Sequence, residues 1–317
     1  EKKKEGEDVS ITPRAAGTDM SGGVLGPSII LDTTTHLNRF IGLGENYAVA
    51  EPGMFFRDFD TKTREKNLEM PGYPASRNLA ALGGMLGNNA GGEKNLKLGK
   101  TARYVEEIDA VLSDGEVHTL KEMKNEELSV KMEEKSFEGD LYRYIGTLVR
   151  KNRETIEKSK PIVTKNSSGY ALWDIGDGEH TLNLARLFVG SQGTLGIVTK
   201  IRFGLVPLKE YSSMVVIMLK DFKDLESVVP AVLKTEPDSF ESYDNHTFTI
   251  ALKYFPELSA QMGAGIVSLA FQLLPEFFMV LSGGVPKMVL LAEFRSDSQD
   301  ECLSKANALY DNIRKLP

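Results

Sequence analysis

A stretch of small and hydroxyl-bearing residues near the start of the chain, residues 13–23, has the composition of a phosphate-binding loop. It combines three glycines and two alanines with Thr18, Asp19 and Ser21. Glycine allows the positive φ that turns successive N–H groups toward one point, and the hydroxyl groups of Thr18 and Ser21 add donors. Taken alone, the stretch is equally compatible with an ordinary glycine-rich loop.

Three further glycine-rich blocks follow, at residues 71–92, 165–172 and 187–200. The second block carries Asn88 and Asn89 among small residues, which is typical of a backbone that wraps a polar molecule. A mobile loop is the alternative. The fourth block brings glycines at three-residue spacing and then a β-branched run, which predicts a strand as far as residue 206.

Two nucleotide-binding patterns are tested and excluded. The run Gly99-Lys100-Thr101 fails as a nucleoside-triphosphate loop because Lys94 stands where that pattern requires glycine. No G-x-G-x-x-G follows a predicted strand, so a nicotinamide site of the Rossmann type is not supported.

Charge and composition exclude other classes of partner and site. The chain has 317 residues and a net charge of −7, with scattered basic residues, which argues against nucleic acid as a partner. Its one cysteine, Cys302, rules out an internal disulfide and cysteine-ligated clusters. The four histidines are dispersed, so no metal site is expected, and we place His118 on the surface. The histidines are His36, His118, His180 and His246.

The absence of a visible signal peptide and the single thiol favour a cytoplasmic protein, either free or at the inner face of the membrane. The chain does not begin with Met and starts almost inside a strand, which suggests a fragment. Residues 261–286 are strongly apolar but are interrupted by Pro275, so we predict no membrane-spanning helix. They form either a buried or mobile cap segment or a membrane-surface anchor.

The elements that must position the four blocks are predicted from hydrophobic period and turn residues. An Asp-Gly turn predicts a hairpin at residues 108–120, and the charged residues 121–138 are expected to be an exposed excursion. The other elements before Pro207 are strands at 29–32 and 47–50 and helices at 54–68 and 140–160. Beyond Pro207 the pattern alternates strands at 214–219, 239–243 and 288–294 with helices at 225–233, 246–254 and 298–313.

In this order and at these separations, the four blocks resemble the FAD-binding domain of the vanillyl-alcohol oxidase and p-cresol methylhydroxylase superfamily. The nearest branch is the group of FAD-linked D-2-hydroxy-acid dehydrogenases, with the glycolate oxidase subunit and D-lactate dehydrogenase. The resemblance implies an α+β fold, in which an FAD-binding domain of two α/β subdomains precedes an incomplete, ferredoxin-like α/β cap domain. The expected domains are residues 1–207, lacking the first strand and helix, and residues 208–317, truncated at the C-terminus.

The same resemblance implies a set of cofactor-binding residues. Thr18 stands where covalent members of the superfamily carry histidine, so the FAD is expected to be non-covalent. The family often has glycine in place of Ala15 and Ala16, and alanine at a positive φ would cost about 1 kcal/mol at each position. Gln192 replaces a usual glutamate. The residues implied are Arg14, Ala15, Ala16, Gly17, Thr18, Asp19, Ser21, Pro74, Ser76, Gly83, Gly84, Asn88, Asn89, Ala90, Gly91, Ile197 and Val198.

The implied activity is oxidation of a D-2-hydroxy acid by hydride transfer to flavin N5, with electrons passed to a quinone, a cytochrome or an electron-transfer protein. The catalytic base is unknown and is expected beyond residue 317. Arg77 is either a clamp for the substrate carboxylate or a member of a structural ion pair. The alternatives are a flavoenzyme of the sugar-lactone or ether-lipid type, and a catalytically incomplete FAD-binding fragment.

Overall fold

The computed structural model describes residue 6 and residues 9–27, 29–163, 165–254, 257 and 285–316. The chain divides into two compact units, Glu1–Leu208 and Lys209–Pro317. The predicted α+β class is confirmed, because both units combine helices with largely antiparallel sheets.

The first unit is built around a six-stranded antiparallel sheet in the order β3-β4-β9-β6-β7-β8, beside two smaller two-stranded sheets. In the small sheets, β1 pairs with β2 in parallel and β10 pairs with β5 in antiparallel fashion. The strands are β1 (Ile11–Arg14), β2 (Ile29–Asp32), β3 (Phe40–Leu43), β4 (Tyr47–Ala50), β5 (Leu68–Glu69), β6 (Val105–Val111), β7 (Val117–Lys124), β8 (Thr181–Asn183), β9 (Ile197–Gly204) and β10 (Val206–Pro207). The helices are α1 (Phe56–Arg64), α2 (Leu82–Gly87), α3 (Asn95–Leu98), α4 (Asn125–Glu133), α5 (Phe137–Lys151), α6 (Arg153–Lys158) and α7 (Leu184–Phe188).

The core of this unit explains why α1 forms where it does. Phe56 and Phe59 are buried, while Arg57 and Asp58 between them are exposed, as expected for a helix with one apolar face. The ring of Phe59 meets that of Phe203 on β9 edge to face, with 5.7 Å between centroids. Phe55, the residue before α1, is half-buried.

The second unit is a three-stranded antiparallel sheet with β13 at its centre and with helices α8 and α10 on the face that forms its core. Its elements are β11 (Tyr211–Leu219), α8 (Leu225–Leu233), β12 (Ser239–Asp244), α9 (Asn245–Lys253), β13 (Met288–Ser296) and α10 (Gln299–Ile313). The six elements predicted beyond Pro207 are confirmed, with bounds shifted by at most three residues. The apolar residues 261–286 fall almost entirely outside the described residues. No helix among the residues that the structure describes is long and apolar enough to cross a membrane.

The prediction that residues 121–138 form an exposed excursion is wrong. Strand β7 continues to Lys124, and α4 follows it directly. Leu128 is fully buried, so α4 packs into the core although most of its surface is charged. Ser136 caps α5 by accepting a hydrogen bond from the backbone N–H of Gly139 at 3.1 Å, so that helix begins before the predicted residue 140.

The placement of His118 on the surface is also wrong, because its side chain is only 12% exposed. The ring nitrogen Nδ1 lies 2.9 Å from Glu138 and Nε2 lies 2.8 Å from Asp114. Partial burial opposes protonation, but hydrogen bonds to these two carboxylates outweigh it and raise the pKa of His118. The His118 ring therefore joins the β6–β7 turn to α5.

This arrangement predicts a loss of stability above neutral pH. Folding raises the pKa of His118 above its unfolded-state value of 6.5. The contribution of His118 to the free energy of unfolding is therefore complete below pH 6.5 and is lost as the pH rises through the pKa of the folded protein. We expect the difference in stability between the wild type and His118→Gln to be larger at about pH 6 than at about pH 9 in thermal melts. The control is His36→Gln, at an exposed position, and a pH-independent difference for His118→Gln would contradict the prediction.

Candidate functional site

A cleft of about 370 Å³ in the first unit brings together residues from all four glycine-rich blocks. Its size lies within the range of natural ligand sites. Small residues and backbone groups dominate its surface, so the main chain itself is available to a ligand. The lining residues are Pro13, Arg14, Ala15, Ala16, Gly17, Thr18, Asp19, Met20, Gly23, Val24, Thr33, Pro52, Pro74, Ser76, Ala80, Ala81, Gly83, Gly84, Met85, Leu86, Gly87, Asn88, Asn89, Ala90, Gly91, Lys165, Ser167, Phe188, Ser191, Gln192, Gly193, Gly196 and Val198.

Strand β1 delivers the first block into the cleft. Arg14 is its last residue, and the carbonyl of Arg14 accepts a hydrogen bond from the backbone N–H of Thr33 at 2.9 Å. Gly17 has φ +66°, and a Cβ there would lie 2.9 Å from Arg14 Nε. That buried Nε atom has no hydrogen-bond partner among the described residues. A buried guanidinium donor left unpaired beside the cleft is a group that an anionic ligand could satisfy.

Asp19 fixes the far end of this loop. Its Oδ2 accepts hydrogen bonds from the Ser21 hydroxyl and from the backbone N–H of Gly23, and these bonds lower the pKa of the Asp19 carboxyl. The Ser21 hydroxyl therefore serves the loop and does not line the cleft. The residues of this loop with positive φ are Gly17 and Gly22, and neither Ala15 nor Ala16 is among them. The free-energy cost expected for alanine at a positive φ therefore does not arise.

Helix α2 forms the floor against which this loop packs. A Cβ on Gly84 would stand 3.5 Å from Ala15 Cβ, an ordinary contact. Gly83 is more constrained, because its N–H donates to Pro52 O at 2.7 Å and a Cβ would approach Pro52 Cβ to 2.7 Å. Beyond the helix, Asn89 has φ +47°, and its Oδ1 accepts from the N–H of Ala102 at 3.1 Å.

The fourth block closes the cleft from the other side. The N–H groups of Gly190 and Gln192 donate to Leu86 O and Gly87 O, each at 3.0 Å, which ties the block to α2. Gly193 has φ +77°, and a Cβ there would lie 2.5 Å from Pro13 Cγ. The first and fourth blocks are thus in direct contact, although nearly the whole first unit separates them in sequence.

The residues implied by the resemblance all line the cleft except Ser21 and Ile197. Ile197 starts β9 and pairs with Val111 in the sheet. The cleft also contains residues that were not proposed, although their blocks were: Lys165, Ser167, Ser191, Gln192 and Gly193. Arg77 does not line the cleft. It forms an ion pair with Glu93 at 3.1 Å and stacks on Tyr73, so the structural ion pair is the alternative that the structure supports.

The described residues contain no group of three or more His, Cys, Asp or Glu side chains that could hold a metal ion. Near the surface, Asp177 Oδ1 accepts hydrogen bonds from the backbone N–H groups of residues 179, 180 and 181, and Asp177 Oδ2 lies 3.1 Å from His180 Nδ1.

Residues 4–121 match the family model described as FAD binding domain, which supports FAD as the cofactor of this chain. Three curated relatives agree with that assignment. The chain is 26% identical to D-2-hydroxyglutarate dehydrogenase of Pseudomonas putida over 78% of its length, and 27% identical to glycolate oxidase subunit GlcD of Bacillus subtilis over 78%. It is 23% identical to D-lactate dehydrogenase of Archaeoglobus fulgidus over 98%.

The chain spans only part of these relatives, namely 25%, 43% and 59% of their respective lengths. Among solved structures, alkyldihydroxyacetonephosphate synthase superposes with a TM-score of 0.66 over 97% of this chain and 46% of its own, at 12% identity. At that identity the likeness shows the fold alone.

The residues of the cleft fit an FAD molecule. A loop of small residues with an unpaired Arg14 Nε suits a diphosphate, and the glycine-lined floor of α2 leaves room for an extended ligand. The predicted cofactor is therefore supported by the family match and by the donors present.

The contact between Pro13 and Gly193 gives a test of this site. In Gly193→Ala the new methyl group meets Pro13 Cγ, and alanine must also adopt a positive φ. We expect FAD affinity to fall by about tenfold or more, since one strained alanine and one displaced loop together cost over about 1.4 kcal/mol. Quenching of flavin fluorescence measures this change. Gly115→Ala, also at a positive φ but with open space around it and outside the cleft, is the control and should bind FAD normally.

Proposed function

We propose that this chain is the FAD-holding part of an oxidoreductase that oxidises a D-2-hydroxy acid of the lactate, glycolate or 2-hydroxyglutarate type. The observation that carries the proposal is the cleft in which all four glycine-rich blocks meet, inside a unit whose first part matches an FAD-binding domain. The names of the curated relatives supply the substrate class. Because the chain spans only part of those relatives, the activity is inferred for the whole protein.

In this proposal the chain's own residues bind and orient the cofactor. Arg14 and the N–H groups of the first block hold the diphosphate, and the donor pattern of a turn rich in Gly and Ala suits that anion. The small residues from Gly83 to Gly91 and the start of β9 at Val198 accommodate the rest of the molecule. Thr18 has no nucleophilic ring nitrogen, so the cofactor is non-covalent. When bound, FAD would accept the hydride from the substrate at flavin N5.

The remaining assignments also stand as proposals. The first unit is the cofactor domain, and the second unit is a cap domain for the substrate. Electrons pass to a quinone, a cytochrome or an electron-transfer protein, because no nicotinamide pattern follows a strand in the sequence. The protein acts in the cytoplasm or at the inner face of the membrane. No residue within the chain is assigned as the catalytic base.

The test begins with the cofactor. The purified 317-residue chain should bind added FAD, with the visible flavin spectrum retained after gel filtration and released by denaturation without a covalent adduct. A colourless protein that takes up no FAD would contradict the proposal.

The reaction is tested next with a redox dye and matched pairs of enantiomers. The D-forms of lactate and 2-hydroxyglutarate, and glycolate, are expected to reduce the dye, and the L-forms are not. If the chain holds FAD but reduces no dye with any acid, it is a binding fragment. The same panel on a longer gene product then decides whether the missing chemistry lies outside residues 1–317.

A further inference from the structure

The third glycine-rich block brings a group of polar and cationic side chains to the cleft that the proposed function leaves unused. Lys165 and Ser167 line the cleft, as does Asn89. The hydroxyl of Ser167 donates to Asn89 O at 3.0 Å and accepts from Lys100 Nζ at 3.3 Å. Lys100 itself packs behind the cleft floor, with its Cγ 3.0 Å from the position of a Cβ on Gly91. We call Lys100, Ser167 and Lys165 the lysine cluster.

The two ammonium groups of the lysine cluster lack a carboxylate partner. Within the described ranges no Asp or Glu oxygen lies within 4 Å of Lys100 or Lys165. Lys165 is exposed, whereas Lys100 is partly buried. Two other partly buried lysines of the unit do have such partners. Lys131 lies 2.8 Å from Glu138, and Lys200 lies 2.5 Å from Asp109.

The surroundings of Lys100 oppose its charge. Burial lowers the pKa of Lys100, the carboxylate of Asp174 raises it, and the charge of Lys165 lowers it by less than Asp174 raises it. Asp174 is itself engaged with Lys160 at 3.7 Å. A partly buried ammonium group such as that of Lys100 is stabilised when an anion approaches it, and the cleft beside the lysine cluster is open to such an anion.

The lysine cluster lies apart from the loop assigned to the diphosphate. Residues 13–23 contact α2 near its middle, through Ala15 and Gly84, whereas Asn89 and its partner Ser167 lie beyond the C-terminal end of that helix. Because a helix rises about 1.5 Å per residue, these two contacts lie at different points along α2 and the residues that follow it. A cation at this end would therefore meet a different group from the one that Arg14 meets.

We propose that Lys165, which lines the cleft, binds a second negatively charged group at this end of the cleft, and that Lys100, hydrogen-bonded to Ser167 behind the cleft floor, adds its positive charge from there. This inference rests on the proposed function. Two sources offer the same chemistry: the carboxylate of the 2-hydroxy acid, and the negative charge on a reduced flavin ring. Lysine suits either, because its ammonium is a compact point charge on a flexible stem. A purely structural role is the rival, in which the lysines only complement the negative end of α2.

The experiment uses the full chain loaded with FAD and compares Lys165→Gln with Lys165→Arg. The control is Lys158→Gln, which removes an exposed cation seven residues away whose partner, Glu154, is not in the cleft. Oxalate is the probe for a carboxylate, and its Kd is measured from the change that it causes in the flavin absorbance spectrum. The midpoint potential of the bound flavin is measured by equilibration with reference dyes. Thermal melts of the FAD-free proteins report any purely structural effect.

If the anion is a carboxylate, Lys165→Gln should raise the Kd of oxalate by about tenfold or more and leave the potential unchanged. If the anion is the reduced flavin ring, Lys165→Gln should make the midpoint potential of the bound flavin more negative. The melting temperature of the FAD-free protein should then stay the same. In both cases Lys165→Arg should resemble the wild type.

The inference is overturned if Lys165→Gln matches Lys158→Gln in both measurements, or if only the melting temperature changes. Those outcomes leave the proposed function intact, because FAD is still bound. A wild-type chain that fails to bind FAD would instead remove the proposed function and this inference together.

Discussion

Replacing Gly53 by alanine is expected to cause a large loss of stability in the first unit. A Cβ at this position would lie 2.0 Å from Thr33 O and 2.7 Å from Leu37 O, and both atoms belong to the backbone. Neither can move as a flexible side chain would, and the N–H of Gly53 already donates to Leu37 O at 2.7 Å. We therefore expect a loss of at least about 3 kcal/mol in the free energy of unfolding, at the upper end of overpacking effects.

The damage at Gly53 should extend to the cleft. Thr33 and the adjacent Pro52 both line the cleft, and the Thr33 hydroxyl donates to Arg14 O at 3.2 Å. A displaced Thr33 would therefore move Arg14 and weaken FAD binding in any protein that still folds. Urea unfolding measures the stability, and flavin fluorescence measures the binding.

A matched control is available on a neighbouring strand. A Cβ on Gly42, in β3, would meet no atom within 4 Å. Gly42→Ala should therefore change stability by less than about 0.5 kcal/mol. Equal effects of Gly42→Ala and Gly53→Ala would show that the clash at residue 53 is relieved by backbone movement.

Replacing Lys94 by methionine is the second change with a large expected effect. Lys94 Nζ lies 2.6 Å from Glu69 Oε2, and the two side chains are 8% and 1% exposed. Without Lys94 the carboxylate of Glu69 loses the ammonium that lies 2.6 Å from it, while Arg64 Nη2 lies 3.8 Å away on a half-exposed side chain. A buried charge that loses its close partner costs several kcal/mol, so we expect Lys94→Met to destabilise the unit by about 3 kcal/mol.

Two further variants show whether this loss of stability arises from the charge of Glu69 in the absence of Lys94. Glu69→Leu combined with Lys94→Met should recover most of the stability, because buried ion pairs are often replaceable by apolar side chains. Lys62→Met breaks the exposed pair with Glu65 and should cost under about 1 kcal/mol. A double variant no more stable than Lys94→Met would show instead that the packing of Lys94 over the Tyr73 ring carries the effect.

The elements that could be predicted from the sequence are those with a strong local period. The helix predicted at 225–233 is α8, and the hairpin around Asp114 and Gly115 is present. Helix α4 was missed because a single buried residue, Leu128, ties it to the core, and one apolar residue gives no period. Its charged surface looked like solvent-exposed coil.

Pairings between distant residues could not be predicted. His118 contacts Glu138, which is 20 residues away in the sequence, and Glu69 contacts Lys94, which is 25 residues away. Neither pair therefore produces a local sequence pattern. For the cleft, the amino-acid composition indicated the four glycine-rich blocks but not the hydrogen bonds that form within them. The sequence indicates the Ser21 hydroxyl as a donor to a ligand, but that hydroxyl donates instead to Asp19, two residues earlier. Short-range competition of this kind is invisible in a list of residue types.

The contact of Pro13 with Gly193 has a kinetic consequence. The two residues are 193 − 13 = 180 positions apart, so they meet only after the chain between them has closed into a very long loop. Contacts of high sequence separation form slowly and late in folding. During refolding from urea, recovery of FAD binding should therefore lag behind recovery of helical circular dichroism. The nascent protein would gain its cofactor, and the stability that binding adds, only at the end of the process.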